Sequence, residues 1–159
     1  MGVDYGLRRV GIAVSDPSGT LARPVETIPG SRDPRAAARA ILEAAARLER
    51  NDEPIGTIVV GLPRRLDGSA NDQTPLAEAL AAALSAVAGA RTIVLQDERL
   101  TSHEAERLLS VREKDWRVRK ERLDAVAAAV ILQEYLDAQR SGLGTRDSRF
   151  GIGDSGGAD

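Results

Sequence analysis

Over the first thirty residues, apolar positions alternate with others in short runs broken by glycine. Gly2 to Asp4, Arg9 to Ser15 and Leu21 to Ile28 predict a strand, a hairpin and a third strand. Asp33-Pro34 supplies an N-cap with proline at the first helical position, and the alanine-rich stretch to about Arg50 predicts the first helix. Ile55 to Leu62 is a short, β-branched apolar run ending at Gly61-Leu62-Pro63, as a buried parallel strand would. Asp67-Gly68 marks a loop, Thr74-Pro75 predicts a second cap and a helix to about Val87, and Arg91 to Gln96 predicts another strand. Thr101-Ser102-His103-Glu104 has capping-box spacing. A charged connector then leads to an apolar helix from Leu123 to Leu136, and from about Gln139 the chain turns rich in Gly and Ser. The expectation is a domain over residues 1–138 and a disordered tail over 139–159.

The order βββαβαβαα predicts an α/β fold. Three antiparallel strands are followed by parallel ones, reached through right-handed crossovers, in a mixed five-stranded sheet with helices on both faces. In such a sheet the first strand and the two later ones end along one edge, where ligands of open α/β sheets bind. Asp4, Gly61-Leu62-Pro63 and Asp97-Glu98 all fall there.

Three acidic sites stand out, each with an ordinary alternative. Asp4, two places before Gly6, reads by itself as a turn aspartate. Asp97 and Glu98 point to opposite faces of a strand, so one of them aims at a common site; Glu98 is favoured, with Asp97 its rival, and either could instead complement the following helix dipole. Asp124 shares a helix face with Ala127, Ala128, Ile131 and Tyr135, an apolar stripe on which a carboxylate is costly unless paired or bound to a cation. Its ordinary alternative is a salt bridge to a nearby arginine. Three carboxylates from distant segments suit a hard cation such as Mg2+ or Mn2+.

Composition narrows the chemistry. The 159 residues include no cysteine and one histidine, which excludes disulfides and thiolate sites and leaves only His103 for a Ser-His-Asp arrangement; His103, in the first turn of a helix, is given no catalytic role. A net charge of −2 argues against coating nucleic acid by bulk attraction, so basic contacts must be local. Arg112, Lys114, Arg117, Arg119, Lys120 and Arg122 cluster before Asp124, and Arg8, Arg9, Arg64, Arg65 and Arg99 sit beside the other sites. The ordinary reading is a solvated mixed-charge surface; the functional one is a set of phosphodiester contacts around a metal centre. Trp116 could stack on a base or anchor the connector. No apolar run reaches membrane length and no signal-peptide layout opens the chain, so a cytoplasmic protein without membrane contact is expected.

Several strings together resemble the YqgF or RuvX family: Gly2-Val3-Asp4-Tyr5-Gly6, Arg9-Val10-Gly11-Ile12-Ala13-Val14-Ser15-Asp16, Pro24-Val25-Glu26-Thr27-Ile28, Val60-Gly61-Leu62-Pro63 with Asp67-Gly68-Ser69, Asp97-Glu98-Arg99-Leu100-Thr101 and Leu123-Asp124-Ala125-Val126-Ala127-Ala128. The resemblance implies an RNase H-like nuclease with acidic residues at Asp4, Glu98 (or Asp97) and Asp124. It also implies substrate contacts from Arg64, Arg65 and Ser69, to which Arg8, Arg9, Arg99 and Lys120 are added here. Its implied role is maturation of the 5′ end of pre-16S rRNA, in contact with the small ribosomal subunit, with branched DNA as an alternative substrate. The chemistry would be metal-assisted in-line hydrolysis by a monomer or homodimer. Only three residues precede Asp4, fewer than the family usually has before this position, so the expectation is either a start further upstream or a frayed first strand. Two rival readings are an ATP-binding domain of the actin and Hsp70 type, which also opens with Asp-x-Gly, and a non-catalytic RNA-binding assembly factor.

Overall fold

In the computed structural model, residues 1–50, 54–98 and 116–142 are described. β1 (Gly2–Tyr5), β2 (Arg9–Ser15) and β3 (Ala22–Pro29) pair antiparallel with one another, whereas β4 (Thr57–Leu62) pairs parallel with both β1 and β5 (Thr92–Asp97), in the order β3-β2-β1-β4-β5. α1 (Pro34–Glu49) and α2 (Thr74–Val87) link β3 to β4 and β4 to β5, and α3 (Trp116–Arg140) follows. The expected mixed sheet is present.

β1 does not fray. It lies in the centre of the sheet, paired with β2 on one side and β4 on the other, and the Val59 N–H donates to the Met1 carbonyl at 2.8 Å. Pairing on both edges holds a short strand that would be marginal alone.

At α1, Asp33 caps as expected, accepting from the backbone N–H groups of Arg35 and Ala36. At α2 the cap expected of Thr74 is not made. Thr74 is already helical and buried, and its hydroxyl donates to the Pro63 carbonyl at 2.5 Å; the Asn71 side chain instead accepts from the Gln73 and Thr74 N–H groups. α3 begins seven residues before Leu123, because the Arg, Lys and Glu of the charged connector are good helix formers. It also runs past Leu136 to Arg140. The predicted capping-box helix at Thr101, with His103, and the tail beyond 142 lie outside the described residues.

The sheet separates two packing layers. Val3, Val10, Ile12, Ile58 and Val60 form one core with Ile41, Ala44 and Ala45 of α1 and Leu80 and Leu84 of α2. On the opposite face Ala13 and Val59 pack against Ala128, Ala129, Ile131 and Leu132 of α3. Gln133 fixes α3 to the β2–β3 turn: its Oε1 accepts from Ala22 N–H at 2.8 Å and its Nε2 donates to the Thr20 carbonyl at 3.0 Å. Among the described residues no helix is long and apolar enough to cross a membrane.

Candidate active site

Asp4 pairs across β1–β2 with Gly11, two positions along from the Gly2–Ala13 pair, so all four share the face that α3 covers. That face is lined by small residues. A Cβ on Gly2 would lie 2.5 Å from the Ala128 carbonyl oxygen and 2.8 Å from Leu132 Cβ, and one on Gly11 would collide with the Asp124 carbonyl and come within 2.8 Å of Ala125 N. α3 therefore rides directly on the backbones of β1 and β2 and carries Asp124 beside Asp4.

Glu98 arrives from the other side. Its N–H donates to the Leu62 carbonyl at 3.2 Å, extending the ladder one step past the Leu62–Asp97 pair. Alternation then turns Glu98 to the α3 face and Asp97 to the α1/α2 face, where Ile93 and Leu95 join the larger core. The Glu98 side chain lies over β4, for a Cβ on Gly61 would run into its Oε1 and stand 2.7 Å from Ile131 Cδ1. Gly61 is the gap through which a carboxylate two strands from β1 leans toward Asp4.

The electrostatics record this convergence. Burial, and then the charge of Asp124, push the Asp4 carboxyl up from 3.8 to about 6. Burial, followed by Asp4, Glu134 and Asp97, pushes Glu98 up from 4.5 to about 8. Asp124 also makes the arginine bridge named above as its ordinary alternative: Arg9 Nε stands 2.6 Å from its Oδ2, with the side chains 34% and 23% exposed. Among the described residues, no three His, Cys, Asp or Glu form a ready-made metal site. The donor set nonetheless fits a hard divalent cation, because all three groups offer carboxylate oxygens and a cation would offset the burial and repulsion that raise Asp4 and Glu98.

Of the basic residues expected around the carboxylates, Arg9 is joined to them directly, and Arg8 shares with Tyr5, Gln73, Leu76 and Asp124 a cleft of 280 Å³. Arg64, Arg65 and Ser69 fall in the turn after β4, at the expected edge. Arg64 donates to the Gly68 carbonyl at 3.0 Å, the Arg65 N–H to the Ser69 carbonyl, and the Ser69 hydroxyl to Asp67, so these three residues also hold the turn closed on itself. Arg99 and the side chain of Lys120 lie outside the described residues. Sequence reasoning passed over Gly11 and Gly61 as the sites of close approach, and over Glu134 as a further charge facing Glu98. Glu134 was accessible from helical spacing, since it lies three residues beyond Ile131 on the Asp124 stripe.

Residues 1–138 match the model of the family described as RuvX, Holliday junction resolvase. The chain belongs to the RuvX family. Relatives described as "putative pre-16S rRNA nuclease" include those of Clavibacter sepedonicus, 39% identical over 141 residues (89% of this chain, 84% of that protein), and Halalkalibacterium halodurans, 40% identical over 140 residues (88% and 96%). In three dimensions the chain is similar to T. thermophilus RuvC, solved in complex with a Holliday junction substrate, with a TM-score of 0.50 and 14% identity over 89% of this chain and 94% of that one. At that identity the likeness concerns the fold, which is RNase H-like as the RuvX resemblance implied. Membership in the RuvX family sets aside the actin- and Hsp70-type reading.

Proposed function

We propose that this chain is a metal-dependent endonuclease that hydrolyses phosphodiester bonds and acts at the 5′ end of pre-16S rRNA. The observation that supports the reading is the electrostatic coupling of Asp4 to Asp124 and of Glu98 to Asp4, which links acidic groups from three segments far apart in sequence. The naming of the RuvX relatives supports the rRNA substrate.

Asp4, Glu98 and Asp124 would hold Mg2+ or Mn2+, which when bound supplies charge neutralisation and a more acidic water for attack on phosphorus. The chain's own residues do the rest. Arg8 and Arg9 bind phosphate oxygens beside the carboxylates, where a guanidinium offers paired donors of matching geometry. Ala128 and Ile131, both buried, exclude water from the α3 side of the site. Gly61 keeps the space over β4 open for Glu98.

The description of the RuvX family favours a second substrate, a branched DNA. Purified protein incubated with precursor small-subunit rRNA and, in parallel, a four-way DNA junction, in Mg2+, Mn2+ or EDTA, separates the two. Metal-dependent cutting of the rRNA that is lost in Asp124→Asn is the expected result. Cutting of the junction alone would reassign the substrate, and RNA binding without cutting would make the chain an assembly factor.

A further inference from the structure

A groove of 760 Å³ runs between β3 and the N-terminal half of α3. Its walls are Arg8 and Arg9 at the start of β2, the segment Pro24–Pro29 of β3, and Arg122, Ala125 and Val126 of α3. We infer that this groove holds one strand of the substrate nucleic acid by its phosphates and delivers it to the carboxylates, an inference that rests on the nuclease reading.

Charge comes first. Among the described residues three arginines line the groove, and the one acidic residue there, Glu26, is engaged elsewhere: Arg47 of α1 stands 2.5 Å from its Oε1, on the far side of the sheet. Shape comes next. β3 is an edge strand, but Pro24 and Pro29 have no N–H to offer an added strand, so this edge is poorly suited to a peptide and better suited to a polyanion. Val25 and Val126, both half-buried, leave an apolar surface for sugars and bases. The groove also leads somewhere. Arg9 forms part of its wall and touches Asp124 through Nε, while a guanidinium carries four further N–H donors for a phosphate. A strand lying against β3 therefore meets the active site at Arg9.

Binding is measured by fluorescence anisotropy of a labelled single-stranded RNA, and of the DNA of the same sequence, in EDTA across a salt series. Arg122→Gln, an exposed position, is expected to weaken binding and to lower the slope of log affinity against log salt by about 0.7. Val126→Glu, which places a negative charge in the groove, is expected to weaken it further. Arg39→Gln on the exposed side of α1 is the control, expected to bind as the wild type does. Wild-type affinity and slope in both groove variants, or equal loss in the control, would overturn the groove. Cleavage in Mn2+ is scored separately: a wild type that cuts while both groove variants bind normally leaves the nuclease standing without the groove. A wild type that never cuts, yet loses binding in both variants, leaves the groove standing without the nuclease.

Discussion

The two faces of the sheet use opposite means of packing. Toward α1 and α2 the sheet presents Val3, Val10, Ile12, Ile58 and Val60, and the helices stand off by the thickness of those side chains. Toward α3 it presents Gly2, Gly11, Ala13 and Gly61, and the helix is pressed against bare backbone. The first face removes apolar area from water and so supplies stability. The second gives up that area and in return brings three carboxylates from separate segments within electrostatic reach. The site is thus built where the core is thinnest, and changes on the two faces should have different signatures.

Asp4→Asn should reduce metal-dependent cleavage by at least about 100-fold, the scale of losing one electrostatic group at a reacting centre. It should leave the metal-free protein at pH 8 as stable as the wild type or more so, since a buried charge is removed. Leu80→Ala on the other face should do the reverse. It should cost about 2–5 kcal/mol of unfolding free energy with cleavage per folded molecule unchanged. Equal loss of activity in both variants would erase the distinction between the faces.

Stability without metal should also depend on pH in a direction set by the α3 face. In the unfolded chain Asp4 and Glu98 lose their protons near 3.8 and 4.5, whereas in the fold they keep them to about 6 and about 8. Between those limits the native state binds more protons than the unfolded one. Their contribution is therefore full below about pH 4 and is lost as pH rises through 6 and then 8, on the order of 3 kcal/mol for Asp4 alone. Thermal melts in EDTA should fall over that range and flatten when Mn2+ is added; melts that rise instead would contradict the burial of these carboxyls.

Gly11→Ala should cost about 1–3 kcal/mol by overpacking against the α3 backbone and should lower cleavage by displacing Asp124, measurable by denaturant titration beside activity. Arg9→Gln should have the smallest effect on folding, about 1 kcal/mol or less, because its bridge to Asp124 is partly exposed. Freed from that competition, Asp124 should strengthen Mn2+ binding by about fivefold, the equivalent of 1 kcal/mol, read by calorimetry in the absence of nucleic acid.

Much of this was legible from the chain. The strands and their order follow from glycine-broken alternation, and Asp124 was marked by the apolar stripe it interrupts. Alternation also put Glu98 and Asp97 on opposite faces, and the register turns Glu98 to the side of Asp4. What stayed hidden was non-local. A glycine within a strand announces a close approach without naming what approaches, so the meeting of Gly11 with Asp124 and of Gly61 with Glu98 had no local signal. The pairing that steadies β1 comes from β4, more than fifty residues on. Several nearby arginines could have bridged Asp124, and only the fold selects Arg9, 115 positions away. Thr74 misled because a buried hydroxyl found a carbonyl across the loop in place of its own helix.

The Gln133 clamp turns α3 into a ruler. Nine residues, or about 13.5 Å of helix at 1.5 Å per residue, separate its grip on the β2–β3 turn from Asp124. Adding or removing a single residue between the two would swing that carboxylate about 100° around the helix axis, off the sheet altogether. Substitutions in this stretch can be absorbed one at a time, but its length cannot change.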